Sequence, residues 1–368
     1  MSGQNQQIAA SRASASPPRV EYSISSGLLG RLSAINASLA FTSYQSGFLY
    51  MLGRNANGGA QLHQSEMPKP MGLWANGPGR VVMTAGAQVI WFENVLNAEQ
   101  RINQVYDACF MPRKQHLTGQ LDGHDVGVTA KGEVVFVNTR YNCLAKLSQT
   151  HSFEPFWSPP FISEIIDEDR CHLNGLAIRD GKPAFVTAVS RSNTIDGWRD
   201  RRAEGGVVID VETNEIVCEG LSMPHSPRWH NGRLYVLNSG SGELGYVELE
   251  GGEAGQGTKG RFKQIVFCPG FLRGLAFHGN FAFVGLSRPR YQRFEGLALD
   301  QKLTEADSEP WCGVQVIDLE KGNCVDWFRI DGDIGELYDV ELIEGYSCPM
   351  TVSPNSSDAA TLLTHPEM

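Results

Sequence analysis

The sequence predicts an all-β fold, a six-bladed β-propeller whose ring closes by pairing N-terminal strands with the C-terminal strand. Three observations carry this. Forty glycines and 18 prolines punctuate short Val-, Ile-, Phe- and Tyr-rich runs, the composition of strands joined by tight turns. One unit of strand, tight turn, second strand, polar loop and third strand recurs along the chain. The sixth copy is short of its outer strands, and matching strands without an inner partner stand near the N-terminus.

Taken in order, residues 1–20 have no apolar periodicity and read as a disordered tail, and residues 21–350 as a single domain. Within 27–37, GLLGRLSAINA, Leu28, Leu32 and Ile35 fall on one helical face, which predicts a short helix against the outside of the ring. Residues 38–54, SLAFTSYQSGFLYMLGR, read as a second and third strand with no first strand before them. Complete units then open at Lys69, His124, His172, His225 and Phe271. The last opens at Tyr338 with YDVELIEGYSCPM, and residues 351–368 read as a second disordered tail. Spacings of 46 to 67 residues between these openings suit four-stranded blades with loop insertions. Closing the ring also protects strand edges that an open array would expose.

The 31 basic against 41 acidic residues give a net charge of -10. This balance argues against a nucleic-acid partner or an anionic membrane surface. No run is long and apolar enough for a membrane helix, and the first 20 residues lack the apolar core of a secretory signal, so a cytoplasmic location is expected. Eight scattered cysteines without a C-x-x-C pair read as reduced, mostly buried thiols.

If the first strand of each blade lines the channel, the opening residues Lys69, His124, His172, His225, Phe271 and Tyr338 ring one mouth. Three of the nine histidines fall in this column on consecutive blades. Three imidazoles that leave a coordination position open form a catalytic metal site, so His124, His172 and His225 are expected to bind a divalent transition metal, zinc first, with iron or copper as alternatives. The loop after the second strand lies on the same face and contributes Arg140, Arg191, Ser239 and Arg288. Arg273 follows Phe271 by two residues. These groups are expected to orient an anionic substrate, with Arg273 and Tyr338 closest to the chemistry and Tyr338 a candidate base. Asp125 and Asp339 are candidate acceptors for imidazole N–H groups, or packing residues between blades. Insertions at 190–206 and 288–311 are expected to form walls or lids over the mouth.

The segments LDGHDVG, DRCHLNGLA, MPHSPRWH, LYVLNSGSGELG, PGFLRGLAF, FVGLS and ELYDV resemble a family of conserved bacterial proteins of unknown function that are predicted propellers. The resemblance spans roughly residues 30 to 350 and implies the fold. More loosely, the chain is similar to the six-bladed superfamily of peptidyl-hydroxyglycine amidating lyases, streptogramin lyases and the gluconolactonase and paraoxonase group. The amidating lyases use a three-histidine zinc site with a nearby tyrosine and arginine, which implies comparable roles for His124, His172, His225, Tyr338 and Arg273. The calcium-binding lactonase pattern needs several oxygen ligands and fits this nitrogen-rich set less well. The expected function is a metal-dependent lyase or hydrolase acting on an anionic small molecule or modified peptide. The rival readings are a binding propeller for a peptide or protein partner and a metal-free sensor of a carboxylated ligand.

Overall fold

The computed structural model describes residues 20–75, 77–249, 259–290 and 293–365. Six antiparallel four-stranded blades follow one another around a ring. Blade one consists of Pro70–Ala75, Arg80–Ala85, Gln88–Asn94 and Ala108–Leu117. Blade two has Gly123–Val128, Val134–Asn138, Cys143–Lys146 and Glu154–Trp157. Blade three has Leu173–Arg179, Lys182–Ala188, Gly206–Asp210 and Ile216–Leu221. Blade four has Pro224–His230, Arg233–Asn238, Glu243–Leu249 and Gly260–Phe267. Blade five has Phe271–His278, Phe281–Ser287, Cys312–Asp318 and Asn323–Gly332.

Blade six closes the ring as the sequence predicts. Its inner strand, Val340–Glu344, pairs with Ala37–Ser43, with Leu39 opposite Leu342 and Phe41 opposite Val340. Phe48–Arg54 and Ala60–Glu66 complete it. Two further strands were not foreseen. Val20–Ile24 adds antiparallel to the outer edge of blade five, and Pro349–Thr351 adds parallel to the outer edge of blade one. The two chain ends thus strap the blades on either side of the closure and cover two outer edges.

The tail expected over 351–368 is therefore ordered in part. Thr351 ends a strand, Val352 is buried, and Ser357–Thr361 forms a short helix capped by Ser356. Its apolar residues pack beside Cys109 and Met111 of blade one, which the polar composition of this segment concealed. The N-terminal tail, apart from Val20, lies outside the described residues. The predicted helix forms over Leu28–Ala34, buries Leu28 and Leu32, and is pinned by a 2.6 Å ion pair between Arg31 and Asp326.

Each blade-to-blade interface is filled by its own apolar cluster. Phe41 of blade six meets Phe283 and Phe328 of blade five, for example, and Val135 of blade two meets Leu176 and Val186 of blade three. This alternation of in-facing β-branched and aromatic side chains is what the short runs encode. All eight cysteines are free, and burial raises their thiols, Cys143 to about 12.

Hydroxyl groups near the ends of second strands join most blades to the next. Thr42 donates to the carbonyl of Met71 at 2.7 Å, Thr84 to Gly123 at 2.6 Å and Thr139 to Leu173 at 2.6 Å. Ser239 donates to Leu272 at 2.7 Å and Ser287 to Leu337 at 3.0 Å. Across the ring axis, Arg228 of blade four donates to Asp125 of blade two at 2.8 Å and faces Asp339 of the closure segment at 3.5 Å. Each aspartate also caps the next blade, Asp125 accepting from Leu176 N and Asp339 from Leu73 N.

Candidate functional site

The six openings do not form one register. His124 and His225 are the second residues of their inner strands, whereas His172 precedes its strand, in the loop that leads into Leu173–Arg179. The residue that shares the register of His124 and His225 is Asn174. The backbone of His172 turns at φ 52°, a left-handed conformation that a histidine adopts at a cost of order 1 kcal/mol or more. That turn still brings its ring to the mouth, 4.8 Å from His124, edge to face.

All three rings are oriented by Nδ1. His124 Nδ1 lies 2.7 Å from the carbonyl of Asp122, and His225 Nδ1 lies 2.8 Å from the carbonyl of Met223. His172 Nδ1 lies 2.7 Å from the Asp169 carboxylate, whose other oxygen accepts from the His172 backbone N–H at 2.9 Å. Carbonyl and carboxylate oxygens only accept, so the ring proton sits on Nδ1 and the lone pair on Nε2 in each neutral imidazole. Burial and the adjacent His172 push His124 down to about 3. Burial and the Arg273 charge hold His225 well below the usual range.

The nitrogens do not all meet. His225 Nε2 faces Asn174 Nδ2 at 3.3 Å, and the amide is fixed in that sense because Thr187 Oγ1 donates to Asn174 Oδ1 at 2.7 Å. The His225 ring meets Phe271 at 5.6 Å. Among the described residues, no group of three or more His, Cys, Asp or Glu side chains is placed to hold a metal ion. The expected three-histidine set is thus one facing pair, His124 and His172, with His225 turned onto the amide beside it.

Contacts run around the mouth from Tyr338 to His124 at 5.7 Å, to His172, and then to Trp198, which stacks on the His172 ring at 4.1 Å. On the other side the Arg273 guanidinium lies over Phe271 at 4.9 Å and over Tyr338 at 5.4 Å. Glu336 stands 3.8 Å from Arg273, and its other oxygen accepts from Ser43 Oγ and Gln45 N. Burial raises Glu336 despite Arg273, and burial holds the Tyr338 phenol well above its usual value. That direction leaves Tyr338 a neutral donor here, not the base expected of it. Trp198 Nε1, Arg273 Nε, Glu336 Oε1 and Tyr338 Oη are all buried and meet no hydrogen-bond partner among the described residues. Four unsatisfied polar atoms around one mouth are a cost of about 1–3 kcal/mol each that a bound ligand would relieve.

Four other expected contributors are committed elsewhere. Arg140 pairs with Asp167 at 2.7 Å and with the Gln120 carbonyl. Arg191 points outward to Glu219 on the outermost strand of blade three, at 3.7 Å. Arg288 holds the carbonyls of Gly332 and Ile334, and Ser239 is one of the interblade hydroxyls described above. All four share the face of the mouth, but their side chains reach other partners first. Asp125 and Asp339 bond Arg228 and backbone N–H groups rather than imidazoles.

The two insertions do form a wall. Trp198 from the first packs with Phe294, Leu299 and Leu303 from the second, against Met223 and Phe271. The second carries a helix, Ala298–Glu305, whose Lys302 pairs with Glu243. Asp169, Trp198, Asn174 and Glu336 were missed in the sequence. Asp169 and Glu336 had a usable signal, standing three residues before His172 and two before Tyr338.

A ring of this kind with a histidine-lined mouth defines the class, a six-bladed β-propeller. Residues 26–352 match the domain of unknown function DUF4915, and the chain belongs to that family. No curated protein matches the chain. Similar solved structures include virginiamycin B lyase from Staphylococcus aureus, at 10% identity and TM-score 0.41 over 85% of this chain and 99% of that one. A gluconolactonase from Xanthomonas campestris is 12% identical with TM-score 0.46, over 80% and 86%. A nidogen/laminin complex structure is 10% identical with TM-score 0.47, over 84% and 99%.

Proposed function

We propose that the mouth around His124 and His172 is the active site of a lyase or hydrolase acting on an anionic small molecule or modified peptide. The observation that carries this reading is the concentration of buried polar atoms with no hydrogen-bond partner among the described residues, on Trp198, Arg273, Glu336 and Tyr338, beside the imidazoles of His124 and His172, which are anchored through Nδ1. Without a metal, His172, oriented by Asp169, is the base, an arrangement of imidazole and carboxylate that fixes both tautomer and direction; with a metal bound, the same Nε2 lone pair is a ligand and takes no proton. Arg273 receives the anionic group, and Tyr338 donates a hydrogen bond to an oxygen that gains charge.

A divalent transition metal, zinc first with iron or copper as alternatives, is the cofactor such a donor set would take. His124 and His172 would hold it through Nε2, and His225 would join on exchanging Asn174 for the metal. When bound, the metal would supply Lewis-acid polarisation of a substrate oxygen.

The test combines elemental analysis with ligand screening. Protein prepared without chelator, and again after incubation with zinc, iron(II) or copper, is compared with His124→Ala, His172→Ala and His225→Ala. Near one equivalent of metal, lost on replacing His124 or His172, supports the metal-dependent form. Carboxylated and phosphorylated small molecules and peptides are then screened by thermal shift, and ligands that bind are followed by NMR for product. Conversion that disappears in His172→Ala supports the enzyme. Tight binding without conversion would transfer the reading to a binding propeller.

A further inference from the structure

The face opposite the histidines carries a cavity of about 450 Å³ between the first hairpins of blades three and four. Arg179 and Trp229 form one wall, and Arg233 and Tyr246 another. The Arg179 guanidinium lies over Phe185 at 5.2 Å and over Trp229 at 5.1 Å, and these two rings stack on each other at 5.9 Å. The Arg233 guanidinium lies over Tyr246 at 4.8 Å.

Stacking uses the faces of a guanidinium and leaves its edge of N–H donors free, already oriented. Among the described residues, neither edge meets a hydrogen-bond acceptor, in contrast to Arg31, Arg140, Arg170, Arg228 and Arg288. Of the acidic residues beside the cavity, Glu248 is engaged by Lys263 at 3.2 Å, and Asp180 stands at the hairpin turn. Two edge-free guanidinium groups on aromatic supports suit bidentate capture of a planar or tetrahedral oxyanion. The rings beneath them offer apolar area to the rest of a ligand.

We propose that this cavity binds a small molecule bearing a carboxylate or phosphate, its oxyanion held by Arg179 and Arg233 and its body resting against Trp229 and Tyr246. The site is separate from the mouth, because Arg179 and Arg233 stand at the first hairpins of blades three and four, at the ends of the inner strands opposite His172 and His225, and it stands whether or not the mouth is catalytic.

Isothermal titration at constant ionic strength tests it on the full chain, with citrate, inorganic phosphate and glucose 6-phosphate as probes. At least one is expected to saturate at a single site, and the preference between citrate and the two phosphates tells carboxylate from phosphate recognition. Arg179→Gln and Arg233→Gln should each weaken that binding tenfold or more, while Arg273→Gln at the mouth leaves it unchanged. Arg233 is exposed, so its variant keeps the test valid if Arg179→Gln fails to fold. Saturation by none of the three probes overturns the proposal. So does binding that responds to Arg273→Gln and not to the Arg179 and Arg233 variants.

Discussion

Replacing Arg228 by Met should destabilise the ring strongly at pH 8 and less at pH 5.5. Arg228 donates to Asp125 at 2.8 and 3.3 Å and to the carbonyls of Leu176 and Pro227, both at 3.0 Å, and it faces Asp339 at 3.5 Å. Burial, only partly offset by Arg228, raises Asp339 from 3.8 to about 7, and burial and the neighbouring Asp339 push Glu341 up as well. Asp339 therefore holds its proton in the folded protein between these values and loses it in the unfolded chain. Stability falls as pH rises through that window, by on the order of 4 kcal/mol for this carboxyl. Without the guanidinium, the variant at pH 8 holds buried carboxylates with no counter-charge, a loss of about 3–5 kcal/mol. At pH 5.5 Asp339 is protonated and needs no counter-charge, so the loss is smaller by the share that Asp339 carries. For a chain of this length 4 kcal/mol is a melting-point change of about 5 °C. Thermal and urea unfolding of both proteins at the two pH values measures the difference. Equal destabilisation at pH 5.5 and pH 8 would refute the reasoning.

Ser239→Ala should cost about 1 kcal/mol in urea unfolding through the unsatisfied Leu272 carbonyl and leave ligand binding at the mouth unchanged. Tyr338→Phe should be neutral or stabilising, by up to ~1 kcal/mol, because it removes a buried hydroxyl that meets no partner among the described residues, yet it should weaken any ligand found for the mouth. Asp169→Asn should leave the fold intact and reduce turnover at least tenfold, since His172 loses its carboxylate acceptor, with kcat affected more than KM. Truncation before Val340 should abolish folding, because it opens the ring. Truncation after Val352 should only lower the melting temperature, by a few degrees.

The ring was legible because its signals are local. Turn dipeptides and alternating apolar runs mark each hairpin, and the incomplete unit at Tyr338 has its complement in residues 38–54. The end straps were not legible. Val20–Ile24 and Pro349–Thr351 owe their strand form to a tertiary edge, which no short-range pattern in either segment announces. The site was legible at the level of the face and misread at the level of register. A column drawn through sequence openings treats His124 and His172 as equivalents, whereas a difference of two positions separates them along the inner strand. Such a difference preserves strand alternation, so periodicity alone cannot detect it. The arginines were placed on the correct face, but which long side chain turns inward is decided by the nearest carboxylate or carbonyl. Asp167, Glu219 and the Gly332 and Ile334 carbonyls claim Arg140, Arg191 and Arg288 before the mouth can.

The departures from repeat symmetry converge on the candidate site. Five junctions between blades use a hydroxyl-to-carbonyl bond, from Thr42, Thr84, Thr139, Ser239 and Ser287. At the junction of blades three and four, Thr187 instead donates to Asn174, and Asn174 presents its amide to His225. The same blade opens with the left-handed turn that also occurs at Lys69, Asp122 and Met223, but here the position carries an imidazole, His172, whose N–H is held by Asp169. A structural repeat gains stability by making every junction alike, so a junction that gives up its hydroxyl bond to orient an amide and an imidazole reflects a different demand on those residues. Restoring the pattern is therefore informative in a way that ordinary truncation is not. Asn174→Leu would place an apolar residue in the register that Met71 holds in blade one, and it should keep stability while removing the side-chain partner that His225 Nε2 has among the described residues. If the junction serves the mouth, that variant should unfold no earlier than the parent and should still lose ligand binding or turnover. Unchanged function would assign the altered junction to packing alone.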